Sequence, residues 1–101
     1  MHDLFIIYNR PQDTEAFDLH YASIHVPLVH RLPRLQEFTW GKVQAADPAS
    51  PYLVARLTYT SKEDAEASMA SAPGVASVDD LATFAFSGVT VLNVPRTGAP
   101  Q

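Results

Sequence analysis

Tyr21 and His25 stand four residues apart in the stretch Tyr21-Ala22-Ser23-Ile24-His25-Val26-Pro27-Leu28. On a helix that spacing puts both side chains on one face. A histidine there can serve as general acid or base near neutral pH, with Tyr21 as its neighbour or as an oxyanion donor. Pro27 has no N–H, so the carbonyl of Ser23 loses its helical donor. The helix is therefore expected to kink or stop near His25 and to restart at Pro27, a favoured first-turn residue. His25 would then lie at a helix C-terminal end, which favours the imidazolium form. A second reading gives the imidazole a structural task, donating to the carbonyls that Pro27 frees, with Tyr21 as a half-buried core aromatic. An imidazole has two nitrogens and can do both, so both readings stand.

The other polar candidates are weaker. Asp79-Asp80 is expected at the start of the last helical piece, as N-terminal helix acids or surface charge, with Asp80 also able to face the cleft of His25. His20, His25 and His30 follow at intervals of five, about 140° apart on an α-helix, so no two share a face as a metal pair would. His20 and His30 are read as structural or surface groups, and His2 fits no ligand pattern. There is no cysteine, which excludes disulfides, thiolate nucleophiles and iron–sulfur ligation. No nucleotide-binding glycine motif, serine elbow or zinc signature is present. Neither a metal nor a cofactor is expected. A cleft between the first helix and the sheet would be lined by Tyr8, Tyr21, His25, Leu28, Trp40 and Phe84, an apolar pocket with few polar groups. Arg56, mid-strand among apolar residues, is either an interface ion-pair partner or an anchor for an anionic substrate, and the interface is favoured.

These groups must be held by a short chain. Its 101 residues suffice for one core. The net charge of −4 arises from 11 acids and 7 bases without long runs, unlike the basic footprint of a nucleic-acid binder. The charged fraction of 18% is low, as on a chain whose surface is partly covered by another subunit. The beginning, Met1-His2-Asp3-Leu4-Phe5-Ile6-Ile7-Tyr8, reads as a strand and not as a signal peptide or membrane span. The expected setting is the cytoplasm.

Leu4–Tyr8 is expected as a buried strand, followed by a helix from about Thr14 toward Arg31 with Asp13 as N-cap. Residues 36–44 and 52–60 read as two strands forming an antiparallel hairpin across the turn-like segment 47–51. Ser61 then caps a helix through Ala70, Ala72-Pro73-Gly74 interrupts it, and a second helical piece carries Val75, Val78, Leu81 and Phe84. Residues 88–94 form the last strand. The order β-α-β-β-α-β is the ferredoxin-like arrangement, α+β, with an antiparallel four-stranded sheet and both helices on one face. The domain is expected over 1–95, with 96–101 a flexible tail. Strands one, three and four are apolar on both sides, whereas a sheet covered on one face alone should alternate with polar residues. A second copy packing sheet against sheet would cover the other face, so a homodimer is expected.

The pattern Tyr8-x-x-Pro11, then Phe17-x-x-His20-Tyr21-x-x-x-His25-x-Pro27-Leu28, then Leu32-Pro33, resembles the EthD family, named for ethyl tert-butyl ether degradation. Trp40-Gly41 and Asp80-Leu81-x-x-Phe84 before a Gly-Val-Thr-Val strand fit it as well. Arg34 departs from it, since members commonly carry glycine there. The resemblance implies a dimeric α+β barrel. It also implies relatives that include cofactor-free monooxygenases, isomerases, cyclases and dehydratases acting on aromatic or polyketide-like molecules. Fold alone does not choose among these. The expectation is a protein with an apolar small-molecule pocket and cofactor-independent catalysis on a small apolar or aromatic compound. His25 would transfer the proton, with Trp40 as a stacking wall. The alternative is a non-catalytic binding or accessory protein for a catabolic intermediate.

Overall fold

The computed structural model describes residues 1–45 and 47–98. Four antiparallel strands, β1 (His2–Tyr8), β2 (Glu37–Lys42), β3 (Leu53–Tyr59) and β4 (Val89–Pro95), form one sheet in the order β2-β3-β1-β4. β1 lies at the centre and pairs with β3 on one side and β4 on the other. The helices α1 (Thr14–His20), α2 (Val26–Val29), α3 (Lys62–Ala70) and α4 (Ala72–Phe84) complete the α+β, ferredoxin-like fold.

α1, α3 and α4 each begin where a short polar side chain can satisfy free N–H groups. Asp13 accepts from Ala16 N, Ser61 from Asp64 N and Ser71 from Gly74 N. The Ser71 cap places the start of α4 at Ala72, earlier than the position of Asp79 and Asp80. Those two acids sit in the middle of the helix and do not form its first turn, contrary to the expectation from the sequence. Gly74 lets α3 and α4 meet closely, because a Cβ there would run into the carbonyls of Ser68 and Met69.

α1 and α2 belong to one continuous helical path. Between them Tyr21–His25 form a π-helical turn, in which Val26 N donates to Tyr21 O. The expected stop and restart at Pro27 is replaced by this widening, one of the ways a helix absorbs a break in its i→i−4 ladder. Arg34 takes φ +67°, a left-handed conformation that costs a non-glycine residue about 1–2 kcal/mol. Its guanidinium bonds Asp64 in the first turn of α3 at 2.9 Å.

Alternation along the strands separates two faces. Leu4, Ile6 and Tyr8 of β1, with Leu53, Ala55 and Leu57 of β3, face the helices and form the core with Phe17, Tyr21 and Phe84. Phe5 and Ile7 point to the other face, beside Val54 and in register with Leu92 and Thr90 of β4. No helix among the described residues covers that outer face, and Leu92 and Val94 are exposed on it. A polar border runs along it. Asp3 accepts from Thr58 and from the Arg96 guanidinium at 2.7 Å each, and Arg56 bonds Glu37 at 2.6 Å. Arg56 thus lies away from the helix side of the sheet. Of the segment 96–101, Arg96 is the residue that makes this contact, and 99–101 lie outside the described residues.

Candidate functional site

The π turn decides where the histidines go. In a turn closed by i→i+5 bonds, residues five apart come round to nearly the same side. His20 and His25 therefore both reach α4, although the α-helical wheel sets them apart. Asp80, mid-way along α4, receives both. His20 Nε2 lies 2.8 Å from Oδ1 and 3.0 Å from Oδ2, and His25 Nδ1 lies 3.0 Å from Oδ2. An ionised carboxylate only accepts, so the ring nitrogens facing Asp80 carry protons. That leaves His25 Nε2 as an acceptor, and the Tyr8 hydroxyl donates to it across 3.4 Å.

Phe84, one turn beyond Asp80 on α4, supports both imidazoles. Its ring stacks on His20 at 4.7 Å and tilts against His25 at 4.9 Å. Tyr8 and Tyr21 meet edge to face at 5.6 Å, and Phe17 stacks on Tyr21 at 6.0 Å. Pairs of this kind contribute about 0.5–1.5 kcal/mol each beyond simple burial. The aromatic cluster thereby fixes the groups that carry polar atoms.

Between helices and sheet lies a cavity of about 250 Å³. Leu4, Ile6, Ala55 and Leu57 form its floor, and Val29, Met69 and Leu81 contribute to the helical side. Tyr8, Tyr21, His25, Ser77 and Asn93 are the polar or partly polar residues of its lining. The Tyr21 hydroxyl is buried and has no hydrogen-bond partner among the described residues. A buried hydroxyl left in that state costs about 1–3 kcal/mol.

Three of the residues expected in the pocket, Tyr8, Tyr21 and His25, line this cavity together. Asp80 stands behind His25 and touches the cavity through it. Phe84 backs the imidazoles and is not part of the cavity wall. Trp40 is half exposed and packs its edge on Tyr21 at 5.0 Å, so it covers Tyr21 from outside the cavity. Leu28 also lies outside the wall. His20 was set aside by the helical wheel and proves to be a member of the cluster. Pro27 with a histidine at each end of a five-residue interval is the one signal that could have revealed it. Asn93 and Ser77 carried no signal in the sequence. Among the described residues no group of three His, Cys, Asp or Glu side chains is arranged to hold a metal ion.

Burial acts on the titrating groups in a consistent way. It lowers the His25 pKa below its ordinary value of 6.5, and the Asp80 carboxylate opposes that shift only in part. His25 is not at a helix end, so the dipole argument for an imidazolium does not apply. Burial also pushes both phenols, Tyr8 and Tyr21, well above 10. They remain neutral donors beside a neutral imidazole.

No protein-family model matches the chain. An uncharacterised 11.0 kDa protein of the thcB–thcC intergenic region in Rhodococcus erythropolis is 44% identical over 94 residues, covering 91% of each chain. An EthD family protein from Bacillus halodurans superposes with a TM-score of 0.88 at 27% identity, over 96% of this chain and 99% of that one. The chain belongs to the EthD family. The EthD fold also superposes, with a TM-score of 0.70 at 9% identity, on a dimeric ferredoxin-like protein from Thermobifida fusca, over 92% of this chain and 87% of that one. No helix among the described residues of this EthD protein is long and apolar enough to cross a membrane.

The lowered His25 pKa has a consequence for stability. As pH falls below 6.5 the unfolded chain takes up a proton at this imidazole that the folded protein binds less readily, so stability falls. Asp3 acts in the same direction at lower pH, because Arg96 holds its carboxyl below the usual 3.8. The melting temperature is expected to fall between about pH 7.5 and 5.5, and His25→Gln is expected to flatten that fall. Equal falls in both proteins, measured by calorimetry, would contradict the assignment.

Proposed function

We propose that this protein is a homodimeric, cofactor-independent enzyme that moves a proton with His25 on a small apolar carbonyl compound, cyclic or aromatic. The observation that carries the reading is the buried Asp80–His25 pair on a histidine that lines a mostly apolar cavity, with its second ring nitrogen held only by a long contact from the Tyr8 hydroxyl. Acid–base groups of the chain itself suffice for the chemistry. Nε2 removes a proton from the carbon next to the carbonyl, and the C–H electron pair moves into the enolate. The Tyr21 hydroxyl donates to the developing oxyanion, which a preorganised neutral donor stabilises best in a water-poor site. Return of the proton to the same or another carbon regenerates His25 and gives exchange or isomerisation. The cavity volume lies just under the ~300 Å³ where pockets for drug-sized ligands begin, which limits the ligand to a small molecule.

The dimer part of the proposal rests on the outer sheet face. Phe5, Ile7, Val54, Leu92 and Val94 form an apolar field with the Asp3–Arg96 and Arg56–Glu37 pairs at its border. A second copy offers the same field and the same border, so sheet packs on sheet. The dimeric neighbour from Thermobifida fusca supports this reading. Sedimentation equilibrium is expected to give the mass of two chains, and Leu92→Glu the mass of one. A wild-type protein that sediments as one chain at micromolar concentration would overturn the dimer.

The catalytic part is tested by deuterium wash-in from D2O into enolisable aromatic and alicyclic ketones, followed by NMR. We expect the wild type to accelerate exchange at the carbon beside the carbonyl. His25→Gln should slow it by about 10² to 10⁴-fold, the usual contribution of a positioned acid–base group, with ligand affinity little changed. Ketones that bind the wild type without any exchange would replace the enzyme with a binding or accessory protein.

A further inference from the structure

Asp80 bears one negative charge, and two imidazoles share it. His20 and His25 each direct a protonated nitrogen at the carboxylate, as its acceptor-only chemistry requires. Each ring keeps one more nitrogen. For His25 this is Nε2, beside Tyr8 at the cavity wall. For His20 it is Nδ1, on a ring that lies over Phe84 at the rim of the molecule. The two differ in hydration, since the His20 side chain is 22% exposed and the His25 side chain 6%.

An added proton has two places to go within this cluster. Placing it on both rings at once would set two imidazolium groups against one carboxylate, and like charges sharing a site oppose each other. Hydration settles the order, because the charged form is disfavoured where water is excluded. Exposure therefore favours the added charge on the side of His20 over the side of His25. The groups that face His25 are the Tyr8 phenol from β1, Tyr21 and His20 from its own helical path, and Asp80 from α4. His20 in turn faces Asp80 from α4 and His25 from its own helical path, and Asp13 lines the same shallow groove before α1. Neither set holds another cation.

We propose that His20 is a positioning residue that takes up the charge of Asp80, so that His25 stays a neutral base toward the cavity. A histidine paired with a carboxylate is ordinarily drawn toward its imidazolium form, which could not act as a base. The second histidine removes that pull while the hydrogen bond from Nδ1 to Asp80 still fixes the His25 tautomer. The direction of the His25 shift agrees, with burial lowering it first, Asp80 opposing, and the charge of His20 lowering it again. The proposal rests on the reading of His25 as the base in the cavity.

The test follows the ring C–H resonances of each histidine by NMR between about pH 4 and 9, in the wild type, His20→Gln and His20→Asn. The amide variants keep a neutral donor for Asp80 and lose the charge. In the wild type the His20 ring is expected to report the first proton taken up, with His25 following at lower pH. In both variants His25 should titrate about one unit higher, a tenfold change in proton affinity. An unchanged or lower His25 pKa in a folded variant would overturn the proposal. So would a wild-type protein in which His25 is protonated before His20, a result that needs no variant to fold. If the titration behaves as expected and ketone exchange is absent, the enzymatic reading fails and the charge arrangement stands.

Discussion

One carboxylate ties the site to the fold. Asp80 projects from the middle of α4 to the π turn between α1 and α2, and it is the acceptor for two imidazoles carried by that turn. Without it the His25 Nδ1–H would be buried without a partner, at a cost of about 1–3 kcal/mol. The contact also sets how far the first helical path stands from α4. The space between them, closed below by the sheet, is the cavity. Removal of the widened turn would swing His20 away from α4 and leave Asp80 with a single partner, so the backbone irregularity and the shared carboxylate depend on each other.

The sheet divides its labour between two faces. The helix side gives the cavity an apolar floor of Leu4, Ile6, Ala55 and Leu57, and two polar residues of the sheet, Tyr8 of β1 and Asn93 of β4, join its lining. In that surrounding a phenol and an imidazole are both held neutral, which suits a donor and a base. The other side carries Phe5, Ile7, Leu92 and Val94 without a helix to cover them. Rigid aromatic packing around Phe84, Phe17 and Tyr21 holds the polar atoms in place from behind. The polar groups of the cluster thus lie on β1, on the helical path and on α4, and not on loops.

Much of this could be read in the sequence, for identifiable reasons. Period-two patterns and capping residues such as Asp13 and Ser61 report local backbone preference, and from them the strands and the starts of α1 and α3 could be read. For Asp80 the family pattern offered the cleft only beside a reading as a helix-start or surface acid, whereas Tyr21 and His25 at one helical face followed from local spacing. The π turn did not, since the helical wheel assumes a constant turn and Pro27 indicates only that the turn must change. His20 was dismissed for that reason. Asp79 and Asp80 were placed at a helix start because Pro73-Gly74 looked like a break, whereas Ser71 caps α4 and the proline sits in its first turn. Trp40 was expected to form a wall of the pocket. Its strand lies at the edge of the sheet, and strand order is a long-range property that no local pattern carries.

The central claim is that the cavity is a small-molecule site whose polar key is His25. Fluorine NMR with a set of fluorinated aromatic and alicyclic ketones tests it most directly, with the wild type beside His25→Phe, a variant that keeps a ring in the wall and loses the nitrogens. The account predicts ketones that bind the wild type and are lost or weakened at least tenfold in the variant. Ketones that bind both proteins equally, or none that binds the folded wild type at millimolar concentration, would contradict it.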